Sequence, residues 1–182
     1  RTIKYSSLIC IALFSFSCNN SNQSNITSQQ NIQEKSTIAV DSVSYQLNGK
    51  TYIGFIYFDS SIQNKRPAIL VVPEWWGLND YAKNRAVQLA GLGYVSMAID
   101  MYGNGQTGAT PEEAQTLSAL FYANPKLAKT VLDAALEKIK AFPQTDTSQV
   151  AAMGYCYGGY IVLNAAKLGA DLKGVISVHG GL

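Results

Sequence analysis

The chain has 182 residues, 47% of them hydrophobic and only 14% charged, below the roughly 25% charge of an average soluble domain. That is enough apolar material for one ordinary domain. Its formal net charge of +2, from 14 basic and 12 acidic residues, is too sparse for the dense basic face of a nucleic-acid binder. Three cysteines, a single histidine (His179) and the absence of C-x-x-C or H-E-x-x-H argue against a disulfide framework or a metal centre. No cofactor is expected.

The chain opens with Arg1 and Lys4, then an apolar run over residues 8–16, then Ser17-Cys18. A positive start, an apolar stretch of about 7–15 residues and a small residue at its end make a secretory leader. The run is shorter than the roughly 17–25 residues of a membrane-spanning helix. Cys18 resembles the processing site of bacterial lipoproteins, although Ser15 stands where those sites prefer an aliphatic residue. Residues 1–18 are therefore expected to be a signal peptide, with Cys18 as lipidation candidate. Residues 19–42, rich in Asn, Ser, Gln and Thr at their start, read as a disordered polar tether. Together they predict an exported protein, periplasmic or at the outer surface. It would meet the membrane only through a lipid anchor.

The folded domain is expected over residues 43–182. Residues 43–47 alternate apolar and polar, Asn48-Gly49 makes a two-residue turn, and residues 51–58 continue as a β-rich run, which together predict a hairpin. The apolar run 68–72 predicts a strand buried on both faces. Helical spacing over 80–92, capped by Asn79 or Asp80, is followed by an apolar strand at 94–99. Asn124-Pro125 predicts the start of a helix reaching roughly Phe142. A short strand at 150–153, a small-residue helix at 158–168 and a strand at 173–178 complete the series. This alternation predicts an α/β fold: a mostly parallel sheet with helices on both faces.

In such sheets chemistry gathers at the carboxyl ends of the strands. Four segments leave that edge: Pro73-Glu74-Trp75-Trp76-Gly77, Asp100-Met101-Tyr102-Gly103, Gly154-Tyr155-Cys156-Tyr157-Gly158-Gly159 and His179-Gly180-Gly181. Gly154-x-Cys156-x-Gly158 between a strand and a helix has the form of a nucleophile elbow. A sharp turn there exposes one side chain, and the glycines remove Cβ atoms that would clash. The positive end of the following helix favours a thiolate. The Tyr157 N–H points where an oxyanion would form, and a second donor should come from the 73–77 loop. Cysteine is also a common small core residue, and Gly158-Gly159 would equally serve plain helix–strand packing.

The three motifs at 73–77, 100–103 and 154–159, in this order and spacing, resemble the dienelactone hydrolases, cysteine members of the α/β-hydrolase fold. The resemblance covers roughly residues 43–182. It implies that Cys156 is the nucleophile, that Trp75 and Tyr157 give the oxyanion N–H groups, and that Glu74 is the carboxylate beside the cysteine. The implied activity is hydrolysis of carboxylic esters or lactones through an acyl-enzyme.

Two departures from the family pattern stand out. After Cys156 the only acid is Asp171, at the opposite sheet edge, and the only histidine is His179, which does not match the family's catalytic histidine. The expectation is a chain truncated before the triad acid and histidine, inactive without them, with an unpaired sheet edge. No arginine follows Arg85, so the family's bidentate clamp for a substrate carboxylate is not visible. Trp75, Trp76, Tyr102, Phe121 and Tyr122 suggest an apolar or aromatic ester or lactone instead. They serve core packing equally well, and Trp76, Tyr102 and His179 stand as candidate pocket residues. The alternative function is a surface-tethered ligand-binding module that kept the fold and lost turnover. A redox role lacks a resolving cysteine near Cys156.

Overall fold

The computed structural model describes residues 37–181. The leader, the lipidation candidate Cys18 and most of the tether lie outside the described residues.

Strands β1 (Ile38–Leu47) and β2 (Lys50–Asp59) form an antiparallel hairpin around Asn48-Gly49. Both turn residues have positive φ, 52° and 75°, as the twist-matched two-residue turn requires. β1 begins earlier than the sequence pattern indicates. Residues 38–42, assigned above to the tether, pair with residues 55–59 of β2. Val40, Asp41 and Ser42 are all exposed. Backbone hydrogen bonds rather than burial hold this stretch, so it carries no apolar alternation to read.

β3 (Arg66–Val72), β4 (Val95–Ile99), β5 (Thr145–Tyr155) and β6 (Gly174–Val178) complete a six-stranded sheet in the order β1-β2-β4-β3-β5-β6. β3 runs parallel to β4 and β5, and β5 parallel to β6, while β2 joins β4 antiparallel. This is the α/β architecture with a mostly parallel sheet.

Period-two alternation splits the central strands between two faces. Val71 and Ala98 pack with Ala82 and Ala86 of α1 (Asp80–Gly91). The alanine stripe Ala82, Ala86, Ala90 lets that helix lie close to the sheet. Leu70, Val72, Met97 and Ile99 point to the other face. There they join Val131, Leu132, Leu136 and Ile139 of α3 (Pro125–Lys140) and Ile161 and Val162 of α4 (Tyr157–Lys167). Asn79 caps α1 by accepting from the Ala82 N–H at 3.1 Å, and Asn124 caps α3 through the Leu127 N–H at 3.1 Å.

One element is absent from the sequence reading. α2 (Pro111–Ala123) starts at Thr110, which accepts from the Glu113 N–H, while the Glu113 carboxylate accepts from the Ala109 N–H at 2.8 Å. Thr-Pro-Glu-Glu is a readable start signal. The helix buries only Ala114, Ser118 and Phe121, too thin a stripe to register as periodicity. Among the described residues no helix is long and apolar enough to cross a membrane.

Candidate active site

β5 ends at Tyr155 and α4 begins at Tyr157, so a single residue makes the corner. That residue, Cys156, has φ 50° and ψ −115°, a conformation that costs a side-chain-bearing residue about 1–3 kcal/mol. Two backbone hydrogen bonds hold it there. The Cys156 N–H donates to the Val178 carbonyl at 2.9 Å, and the Cys156 carbonyl accepts from the Tyr160 N–H at 3.2 Å. The flanking glycines let backbones touch. A Cβ on Gly154 would lie 2.0 Å from the Gly158 oxygen, and one on Gly158 would lie 2.4 Å from the Val72 oxygen. One on Gly159 would lie 2.5 Å from the Ser177 Oγ. The first turn of α4 is thus wedged between the carboxyl ends of β3 and β6. Cys156 is a free thiol and half-buried.

The loop after β3 is held carbonyl by carbonyl. The Gly77 N–H donates to the Glu74 carbonyl at 3.0 Å, the Tyr102 hydroxyl to the Trp75 carbonyl at 2.7 Å, and the Gly108 N–H to the Trp76 carbonyl at 3.1 Å. Among the described residues neither the Trp75 N–H nor the Tyr157 N–H has a hydrogen-bond partner. Both are therefore free to serve an anion. Glu74 is half-buried, and none of the described side chains or N–H groups binds its carboxylate. Trp76 lies edge-on to Trp75 with ring centroids 5.2 Å apart.

The loop after β4 is organised by Asp100. Its fully buried carboxylate accepts from the N–H groups of Tyr102, Gly103 and Gly105 at 2.9, 2.9 and 3.0 Å. Gly103, Asn104 and Gly105 all have positive φ, a curl that turns the N–H groups of Tyr102, Gly103 and Gly105 toward one carboxylate while the Asn104 N–H donates to the Thr51 carbonyl. Lys50 adds a bond from Nζ to the Tyr102 carbonyl at 3.2 Å. Sequence reasoning quoted this segment as a motif but missed the role of Asp100. The cue lay in an acid followed by two glycines at short spacing.

Aromatic rings close the site. Tyr122 packs edge-on to Tyr157 at 5.3 Å and tilted against Tyr160 at 4.7 Å. Tyr102 packs on Phe121 at 5.6 Å and on Tyr157 at 5.9 Å. Burial pushes the Tyr102 and Tyr157 phenols well above their ordinary range. Their hydroxyls perturb one another, although the Tyr157 hydroxyl does not reach hydrogen-bond geometry. The Tyr122 phenol is also raised, by burial first and then by the negative charge of a Cys156 thiolate. A cleft of about 420 Å³, lined by Gln106, Thr107, Glu112, Glu113, Thr116 and Leu117, adjoins the loop through the Gly77–Thr107 bridge. Sequence reading did not find it, because α2 itself was missed.

His179 directly follows β6, is exposed, and has φ 45°. Among the described residues no carboxylate pairs with it. Asp171 lies between α4 and β6, exposed, bound by the Lys140 Nζ at 2.6 Å. Among the described residues no cluster of three potential ligands could hold a metal ion.

The model of the dienelactone hydrolase family matches residues 54–182. A Bradyrhizobium protein named probable 2-oxo-3-(5-oxofuran-2-ylidene)propanoate lactonase is 26% identical over 72% of this chain and 52% of its own. The solved structure m3DLH superposes with a TM-score of 0.77 at 32% identity. A dienelactone hydrolase-like promiscuous phosphotriesterase from metagenomic libraries gives 0.75 at 36%. Each of those structures is matched over 80% of this chain and 61% of its own length. The chain therefore spans between half and two thirds of these relatives.

Proposed function

Because the chain belongs to the dienelactone hydrolase family, we propose that it carries the nucleophilic half of an ester or lactone hydrolase, with Cys156 as nucleophile. The observation that carries this is the strained one-residue corner at Cys156, followed directly by the unpartnered Tyr157 N–H, with the loop that bears the unpartnered Trp75 N–H starting against Gly158. A thiolate there attacks the carbonyl carbon, and the carbonyl π electrons move onto oxygen. The resulting oxyanion accepts from the Tyr157 and Trp75 N–H groups. Collapse re-forms the carbonyl, expels the alkoxide, which leaves as an alcohol by taking up the proton the thiol gave to Glu74, and leaves a thioester on Cys156. Water then attacks the thioester, releasing a carboxylic acid and the free cysteine. Glu74 is the carboxylate proposed to assist thiolate formation.

The substrate proposed is a neutral apolar or aromatic ester or lactone. Two features support this. Aromatic rings pack beside the corner, and the arginine nearest the carboxyl edge, Arg85, is engaged by Gln88, Tyr81 and the Tyr155 ring rather than held out as a clamp for a substrate carboxylate. The relative named as a lactonase is consistent with the ester and lactone class. Export with a lipid anchor at Cys18 belongs to the same proposal and is supported by the sequence of residues 1–18. Label from a radioactive fatty acid should enter the wild type and not Cys18→Ala.

The test of the activity is covalent. The full-length protein should turn over a small aryl ester, with an acyl adduct on Cys156 seen by mass spectrometry. Cys156→Ala should abolish both. Equal rates in the two proteins overturn the assignment. A wild type that binds aryl esters without turning them over favours the tethered binding module.

A further inference from the structure

We propose that Tyr102 is a positioning residue for the oxyanion site, acting through the Trp75 carbonyl. The inference rests on the reading of Cys156 as nucleophile and goes beyond it. The Trp75 N–H lies in the peptide plane that it shares with the Glu74 carbonyl, and the next plane, which bears the Trp75 carbonyl, anchors that plane through the Cα they have in common. At Trp75 both planes are held. The plane preceding it is fixed by the Gly77 N–H on the Glu74 carbonyl at 3.0 Å. The plane following it is fixed by the Tyr102 hydroxyl on the Trp75 carbonyl at 2.7 Å. The first bond is a local turn. The second crosses 27 residues of sequence and comes from another strand end.

Tyr102 is itself immobile. It is 1% exposed, packed against Phe121 and Tyr157, and its backbone is tied to the Asp100 carboxylate and to Lys50. The Asn104 side chain accepts from the Thr51 N–H, which pins the same loop to the hairpin. A chain of contacts therefore runs from a buried carboxylate, through a rigid loop, to a phenol that orients one oxyanion donor. Preorganisation of this kind acts on the transition state, where the charge develops, and scarcely on substrate binding.

The test is Tyr102→Phe in the full-length protein, which keeps the ring and removes only the donor. On a neutral aryl ester, kcat should fall about tenfold to a hundredfold with KM within twofold. The pH dependence of kcat should be unchanged, because the phenol titrates far above the working range. The alkylation rate of Cys156 should match wild type, showing the corner intact. Tyr45→Phe is the control. It removes another buried hydroxyl, one with no partner, and should leave kcat unchanged. An unmoved kcat in Y102F, a loss confined to KM, or an equal loss in Y45F overturns the inference alone. Absence of Cys156-dependent turnover in the wild type overturns the underlying reading and the inference with it.

Discussion

Glycines at the two edges of the sheet do different jobs. At the amino edge, Gly93 and Gly169 have φ of 93° and 78°, and a Cβ on either would meet nothing within 4 Å. They end α1 and α4 and supply only a left-handed turn. At the carboxyl edge, Gly154, Gly158 and Gly159 have ordinary φ, yet a Cβ on any of them would strike backbone or the Ser177 hydroxyl. At the Cys156 corner itself the glycines supply closeness, and the residue with the left-handed φ is a cysteine.

That contrast can be broken by substitution. Gly158→Ala should have the largest effect, because the Val72 and Pro73 carbonyls at 2.4 and 2.6 Å cannot both yield. A stability loss of about 3 kcal/mol and a fall in kcat of at least about a hundredfold are expected by denaturant titration and aryl-ester assay. Gly93→Ala should cost about 1 kcal/mol and leave kcat unaltered. Similar catalytic losses in both would erase the distinction between the edges.

The strain at the corner gives a sharper and smaller test. Cys156→Gly and Cys156→Ala both remove the sulfur, but only glycine tolerates φ 50° without strain. The glycine variant should be the more stable by about 1 kcal/mol, read from unfolding midpoints. Equal stabilities would mean the corner stores nothing.

The smallest effect belongs to the amino edge. The hydrogen bond and charge of Lys140 hold the Asp171 carboxyl below its usual range. A lowered folded value contributes stability above the unfolded carboxyl value of about 3.9, and that contribution is lost as pH falls through the folded value. Asp171→Asn should lower the melting midpoint slightly at pH 7, and the two proteins should converge in strong acid. A difference persisting there would point to something other than the ion pair.

What the sequence disclosed follows from what is local. The corner at Cys156 was legible because its glycines sit two residues either side of the nucleophile, a spacing dictated by a turn. The parallel strands were legible because burial on both faces leaves continuous apolar runs. The first half of β1 was not legible, since its residues are held by backbone pairing. α2 was hidden behind a thin buried stripe. The bond from Tyr102 to Trp75 had no signature, because no periodicity links residues on separate strand ends. Asp100 was visible as a letter in a motif and silent as a buried acceptor of three N–H groups.

The wedge of α4 against the end of β3 carries one more implication. The peptide oxygens that Gly158 abuts belong to Val72 and Pro73, directly ahead of Glu74 and Trp75. The spacing between the loop that bears the Trp75 N–H and the helix start that bears the Tyr157 N–H is thus gauged by main chain against main chain. Side chains outside that joint, such as Tyr122 or Thr116, can be exchanged without disturbing that gauge. A lineage keeping this joint is free to change what it accepts while retaining how it reacts.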